Sequence, residues 1–296
     1  MEQKKKIKTV MGTLVSVLVL AGFVFFKTLS INSEKILLYP MEFFKEFISV
    51  SAGLGPSEAV YASVTGPLFF IAPFIPITLA FTVLVYYGIK FGEDKKLGLV
   101  SCLLPSLVGF ILLGFSVTAF FFALGVVVCG TLCTTISSIY ANELKEWKRY
   151  RTGSRTVGKC FFMLNMFLLI GLLTNVYFSI GDYNELYRQE SKEIFLQAIP
   201  QMGKGNTTLI DDIDMLNQEQ REMIEEQYDE LSEEQQEIFE QEVGKVFETG
   251  TMPHIINFFI FSIPFMVFSV LEILRMVLFS PMAGALSKML LYETRV

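Results

Sequence analysis

The sequence predicts an all-α polytopic membrane protein. It has six transmembrane helices, with five to seven fitting the same pattern, both termini in the cytoplasm, and a small acidic helical domain outside between spans five and six. Three observations predict this. First, 52% of the 296 residues are apolar, 29 are Phe and only 18% are charged, so most helical surface must face something other than water. Second, the apolar runs approach the ~20 residues that cross a ~30 Å hydrocarbon core. In lipid the backbone must satisfy its hydrogen bonds within each segment, which selects helices. Third, charge is segregated. Gly181–Met252 holds 19 of the 30 acidic residues but 5 of the 24 basic ones, a net −14, while the remainder is +8.

The chain divides on this basis into residues 1–180, a first membrane part; 181–252, the acidic extracytoplasmic domain; and 253–296, a second membrane part. Lys4, Lys5, Lys6 and Lys8 precede a first span at about 9–26. No A-x-A-like cleavage site follows it, so it reads as an uncleaved signal anchor with its basic flank inside. Residues 41–50 form an amphipathic pattern, with Met41, Phe43, Phe44, Phe47 and Ile48 on one face, and are expected as an interfacial helix.

The second span, about 64–87, contains Pro67, Pro73 and Pro76. Each proline removes a backbone donor, so a kink or break is expected there, and with Pro105 in the third span these residues are candidate gate positions. Leu97–Tyr140 runs without a charge. As one helix it would be ~66 Å long, twice the hydrocarbon thickness. A hairpin near Gly114–Ser116 resolves this into spans at about 97–113 and 117–140. Lys145, Lys148, Arg149, Arg151, Arg155 and Lys159 then mark the cytoplasmic side before a fifth span at about 160–180. The sixth span, about 254–273, leads to an interfacial tail over Pro281–Leu291 on the cytoplasmic side, for which a re-entrant segment is the alternative.

Within the acidic region Leu216–Glu225 and Leu231–Glu240 repeat with a period of 15 residues. Asn217 and Ser232 are N-cap residues, each followed three positions later by Gln, which completes a capping box. The two helices carry narrow apolar stripes, Met223, Ile224 and Tyr228 on one and Ile238, Phe239, Val243 and Phe247 on the other. Such stripes are too narrow to build a core alone, and they are candidate surfaces for a partner protein. Tyr183–Pro200 is a candidate third helix. Asn206 heads the single glycosylation sequon and falls in the region assigned outside.

Catalytic constellations are absent from the sequence. His254 is the one histidine and reads as a helix-end residue; no H-E-x-x-H, G-x-S-x-G, Walker A or C-x-x-C occurs. Asp211, Asp212 and Asp214 lack the spacing of a calcium loop. Cys102, Cys129, Cys133 and Cys160 all lie in or beside apolar runs and read as buried thiols. Gly125, Cys129 and Cys133 form a small-residue stripe suited to close helix packing. The only ionisable residues inside a span are Glu272 and Arg275, spaced to pair with each other, and Asn165 and Asn175 can hydrogen-bond across helices.

No catalytic residue, cofactor or metal is therefore assigned, and nucleic-acid binding has no support because the basic clusters are explained by topology. The expected partners are the lipid bilayer and a protein bound through the acidic domain. The expected location is an integral multi-pass position, in the plasma membrane if the cell is prokaryotic. The sequence favours a non-enzymatic scaffold or accessory subunit; the alternative is a channel or carrier for a small or lipophilic solute, gated at the second span.

Overall fold

Why each helix begins and ends where it does is visible in a computed structural model, which describes residues 2–41, 71–143, 148–203, 245 and 252–292. All regular elements among these residues are helical: α1 (Glu2–Thr28), α2 (Phe74–Phe91), α3 (Lys95–Leu112), α4 (Val117–Glu143), α5 (Lys148–Phe178), α6 (Ile180–Gly203), α7 (Met252–Leu274), a π-helical turn (Arg275–Phe279) and α8 (Ser280–Tyr292). A short helical stretch at 33–41 follows α1, capped where the Asn32 side chain accepts from the Lys35 N–H at 2.7 Å. Six helical segments are long and apolar enough to cross a membrane.

The described residues form two compact units. The first comprises Met1–Ile36, Pro67–Phe178 and Ile263–Val296, the second Leu37–Gly66 and Ser179–Ser262. Among the described residues Leu37–Met41 thus fall in the same unit as α6. In the second unit Tyr187 of α6 is buried and its hydroxyl donates to the Leu37 carbonyl. Burial, then the neighbouring Tyr183, push that phenol well above its ordinary range, which keeps it a donor.

Local chemistry sets the ends of the first unit's helices. Pro73 is the N-cap of α2 and Pro76 sits in its first turn. There a missing N–H costs nothing, and α2 starts afresh after the turn at Ala72 and Pro73 that follows helical Ile71. Asp94 caps α3 by accepting from the Leu97 N–H at 3.0 Å. Gly114 (φ 81°) and Phe115 (φ 58°) reverse the chain before α4, and Ser116 Oγ accepts from the Ala119 N–H at 3.1 Å. The expected hairpin is therefore present.

Two helices outrun their expected spans. α5 begins twelve residues before Cys160, because the lysines and arginines of that stretch are good helix formers and a membrane boundary does not end a helix. α7 does not stop at Ile273: it runs through the π-turn into α8. α8, over the expected interfacial tail, packs along α5 and α2. Gly153 permits this approach; a Cβ there would lie 2.3 Å from Ser287 Oγ and 2.8 Å from the Ala283 carbonyl oxygen.

α4 is the central strut, packing against α2, α3 and α5. Small residues on several of its faces allow it. Gly130 meets Gly98 of α3 so closely that a Cβ on Gly98 would lie 2.1 Å from the Gly130 carbonyl oxygen. Gly125 opposes Leu164 and Phe167 of α5, and Thr134 and Ser137 oppose Gly88 of α2. Between the helices sits a cluster of phenylalanines. Phe74 lies 5.4 Å from Phe26, 6.1 Å from Phe122 and 5.9 Å from Phe279, and Phe279 stacks on Phe161 at 4.9 Å. Edge-to-face and offset pairs of this kind add to the dispersion energy of a close-packed interior.

The interfacial helix at 41–50 beyond Met41, Pro67, the repeated acidic helices with Met223, Ile224, Tyr228, Ile238, Phe239, Val243 and Phe247, and Asn206 lie outside the described residues.

Candidate functional site

Glu272 is where apolar surroundings and charge meet. It lies one turn from the end of α7, and its side chain is 14% exposed. A carboxylate so placed needs donors on both oxygens. Asn165 of α5 supplies one: its Nδ2 donates to Glu272 Oε1 at 2.7 Å. Arg275, at the first position of the π-turn, supplies the other through Nε to Oε2, also at 2.7 Å. The guanidinium carbon is in turn 6.0 Å from the Phe162 ring centre, within cation–π range. Asn165 is itself almost fully buried, and its Oδ1 has no partner.

The triad occupies a particular place in the fold. Among the described residues α7 makes few close backbone approaches to the other helices of the first unit. Long side chains bridge to it, chiefly Asn165–Glu272 and the Phe162–Phe268 ring pair at 6.3 Å. The triad can hold a helix and fix its register.

A second polar cluster lies at the α2–α3 connection. Lys8 Nζ sits 2.6 Å from Asp94 Oδ2, and the Tyr87 hydroxyl donates to the same oxygen at 3.3 Å. The Asp94 N–H donates to Thr134 Oγ1 of α4 at 3.4 Å. Beside it Glu93 pairs with Lys95 at 3.1 Å and accepts from Thr135 Oγ1 at 3.0 Å. Burial pushes the Asp94 carboxyl up, yet the Lys8 ammonium, the Leu97 N–H and the Tyr87 hydroxyl outweigh it, leaving the pKa below its ordinary value. Hydrogen bonds from Lys95 and Thr135 also lower that of Glu93. Asp94 thus ties α1, α2 and α3 through its carboxylate and α4 through its backbone N–H.

The four cysteines are all buried and unpaired. Cys129 Sγ donates to the Cys160 carbonyl at 3.0 Å, and Cys133 Sγ to the Phe81 carbonyl at 3.4 Å. These contacts satisfy helix backbones across crossings, as small packing residues do. Among the described residues no group of three or more His, Cys, Asp or Glu is placed to hold a metal ion. His254 is exposed near the start of α7. Pro105 stands inside α3, and Pro264, which the sequence reading passed over, stands inside α7; both helices continue through them.

Sequence reasoning brought Glu272 and Arg275 together but did not reach Asn165 as their partner. The signal existed, an amide inside a span and a carboxylate inside another, yet pairing them needs the helix order in space. No protein-family model, curated protein or solved structure matches the chain.

Proposed function

We propose that the protein is a non-enzymatic, multi-pass membrane scaffold or accessory subunit. Both termini lie in the cytoplasm, and the acidic helical region between α5 and α7 stands outside to meet a partner protein. The single observation that carries the reading is the engagement of Glu272. Each oxygen of this carboxylate already accepts from a neighbouring side chain, Asn165 of α5 and Arg275 of the π-turn, which suits a structural role better than a transport or catalytic one.

Two further features support the reading. The start of α2, where prolines could have made a gate, is filled by Phe26, Phe74, Phe122 and Phe279. The strong charge asymmetry, −14 in Gly181–Met252 against +8 elsewhere, supplies both the orientation and a polar surface for contact.

The test is purification of the tagged full chain from native membranes in mild detergent, beside a variant lacking residues 210–247. One stoichiometric protein, lost with the deletion, is expected. Recovery of the chain alone from both, together with solute flux through liposomes carrying the purified protein, would overturn the proposal in favour of a channel or carrier. Impermeant maleimide labelling of a cysteine placed at Asn206 and one placed at Lys288 checks the orientation. Only the first is expected to react from outside.

A further inference from the structure

Arg275 has a second face. Beyond its bond to Glu272 it borders an open groove of about 520 Å³ between α5, the π-turn and α8. Arg155 and Lys159, one turn apart on α5, line the same groove with Tyr140, Ser154 and Ser280. Three cations therefore converge there, and no carboxylate is among the described lining residues. Lys159 Nζ is held 4.9 Å above the Tyr140 ring, which fixes its direction without neutralising it. Gly158 lets the two sides close up: a Cβ there would lie 2.8 Å from Ser280 Oγ and 3.5 Å from Arg275 Nη1.

Ser280 is an independent sign of a ligand. It is 8% exposed, and its buried hydroxyl has no hydrogen-bond partner. An unsatisfied buried hydroxyl beside three cations lacks an acceptor, and the acceptor that also answers the charge is an oxyanion. The groove is wide enough for a tetrahedral group, and guanidinium forks match its oxygens in pairs.

We propose that this groove binds a phosphate group, supplied as the phosphodiester of an anionic phospholipid. The length of α5 favours the lipid source. Its 31 residues extend ~46 Å, well beyond a ~30 Å hydrocarbon core, and Arg155 and Lys159 lie in its basic first turns, at headgroup depth. Basic pockets between helices at that depth recognise acidic headgroups. The proposal requires only that the helices span a bilayer, and it stands whether or not the acidic region has a partner.

The experiment uses the delipidated full chain and native mass spectrometry, with phosphatidylglycerol, phosphatidylcholine and inorganic phosphate as separate probes. Retention of phosphatidylglycerol over phosphatidylcholine is expected. Arg155→Gln with Lys159→Gln should weaken it about 30-fold, at roughly tenfold per 1.4 kcal/mol and ~1 kcal/mol per cation. Ser280→Ala should weaken it by a smaller factor, and Lys90→Gln with Lys96→Gln, which removes the same charge elsewhere, should leave it unchanged. Thermal unfolding in phosphatidylcholine nanodiscs shows that each variant is folded. Binding of inorganic phosphate that the first double variant abolishes would keep the site and assign it to a free anion. Equal loss in both double variants, or no preference for either phosphate source, would overturn it.

Discussion

Asn165 Nδ2 and Glu272 Oε1 are 2.7 Å apart, and this bond joins α5 to α7. A double-mutant cycle with Asn165→Leu and Glu272→Leu should therefore give a favourable coupling, ~0.6 and up to ~1.7 kcal/mol on the scale of hydrogen bonds between membrane helices. The measurement is thermal or denaturant unfolding in a fixed detergent. Additive single effects would mean that α7 is held by its apolar surface alone.

Arg275 predicts an asymmetry. Arg275→Leu leaves the Glu272 carboxylate with Asn165 as its one donor in apolar surroundings, a loss of ~3 kcal/mol. Replacing both Glu272 and Arg275 by Leu removes the stranded charge, so the double variant should be more stable than Arg275→Leu. Unfolding midpoints of the three proteins decide this directly.

Gly98 and Gly181 form a matched pair of alanine probes. A Cβ on Gly98 would press on Gly130 backbone atoms, at 2.1 Å from the oxygen and 2.7 Å from the carbon. Backbone cannot rotate away, so Gly98→Ala should cost ~1–3 kcal/mol by forcing α3 from α4. Gly181→Ala meets nothing within 4 Å, and its effect should stay within ~0.5 kcal/mol.

Asp94 sets an acid limit. Its folded pKa is depressed, so its contribution is present above the ordinary value of 3.8 and is lost as pH falls through the folded value. Stability in detergent should decline below about pH 4, and Asp94→Asn should flatten that decline. Asparagine is as good an N-cap as aspartate, so the variant retains the α3 start while losing the Lys8 pair. An unchanged acid limb in Asp94→Asn would move the effect to other carboxylates, Glu93 first.

What was legible in the sequence follows from scale. Helices long and apolar enough to cross a membrane are averages over twenty residues, and runs such as Leu97–Tyr140 survive any local detail. The Gly114–Ser116 reversal was legible because helix length set against bilayer thickness demands it. The pairing of Glu272 with Arg275 was legible from spacing on one helix.

Relations between helices were less so. The Gly125, Cys129 and Cys133 stripe pointed to close packing, but the tightest approach, Gly98 to Gly130, joins residues on two helices that no single periodicity links. The continuation beyond Leu274 through a π-turn into α8 had no signal in the sequence, because the pairing of Glu272 with Arg275 lets a helix pass both charges. The break at the prolines was legible: a turn at Ala72 and Pro73 precedes α2, and a helix needs no N–H in its first turn.

The reversal between α3 and α4 has a consequence for biosynthesis. Leu113, Gly114, Phe115 and Ser116 are too few and too apolar to wait in water while one helix inserts without the other. As neighbouring membrane spans the two helices would be expected to insert as a pair, with Gly98 already beside Gly130 when α5 follows.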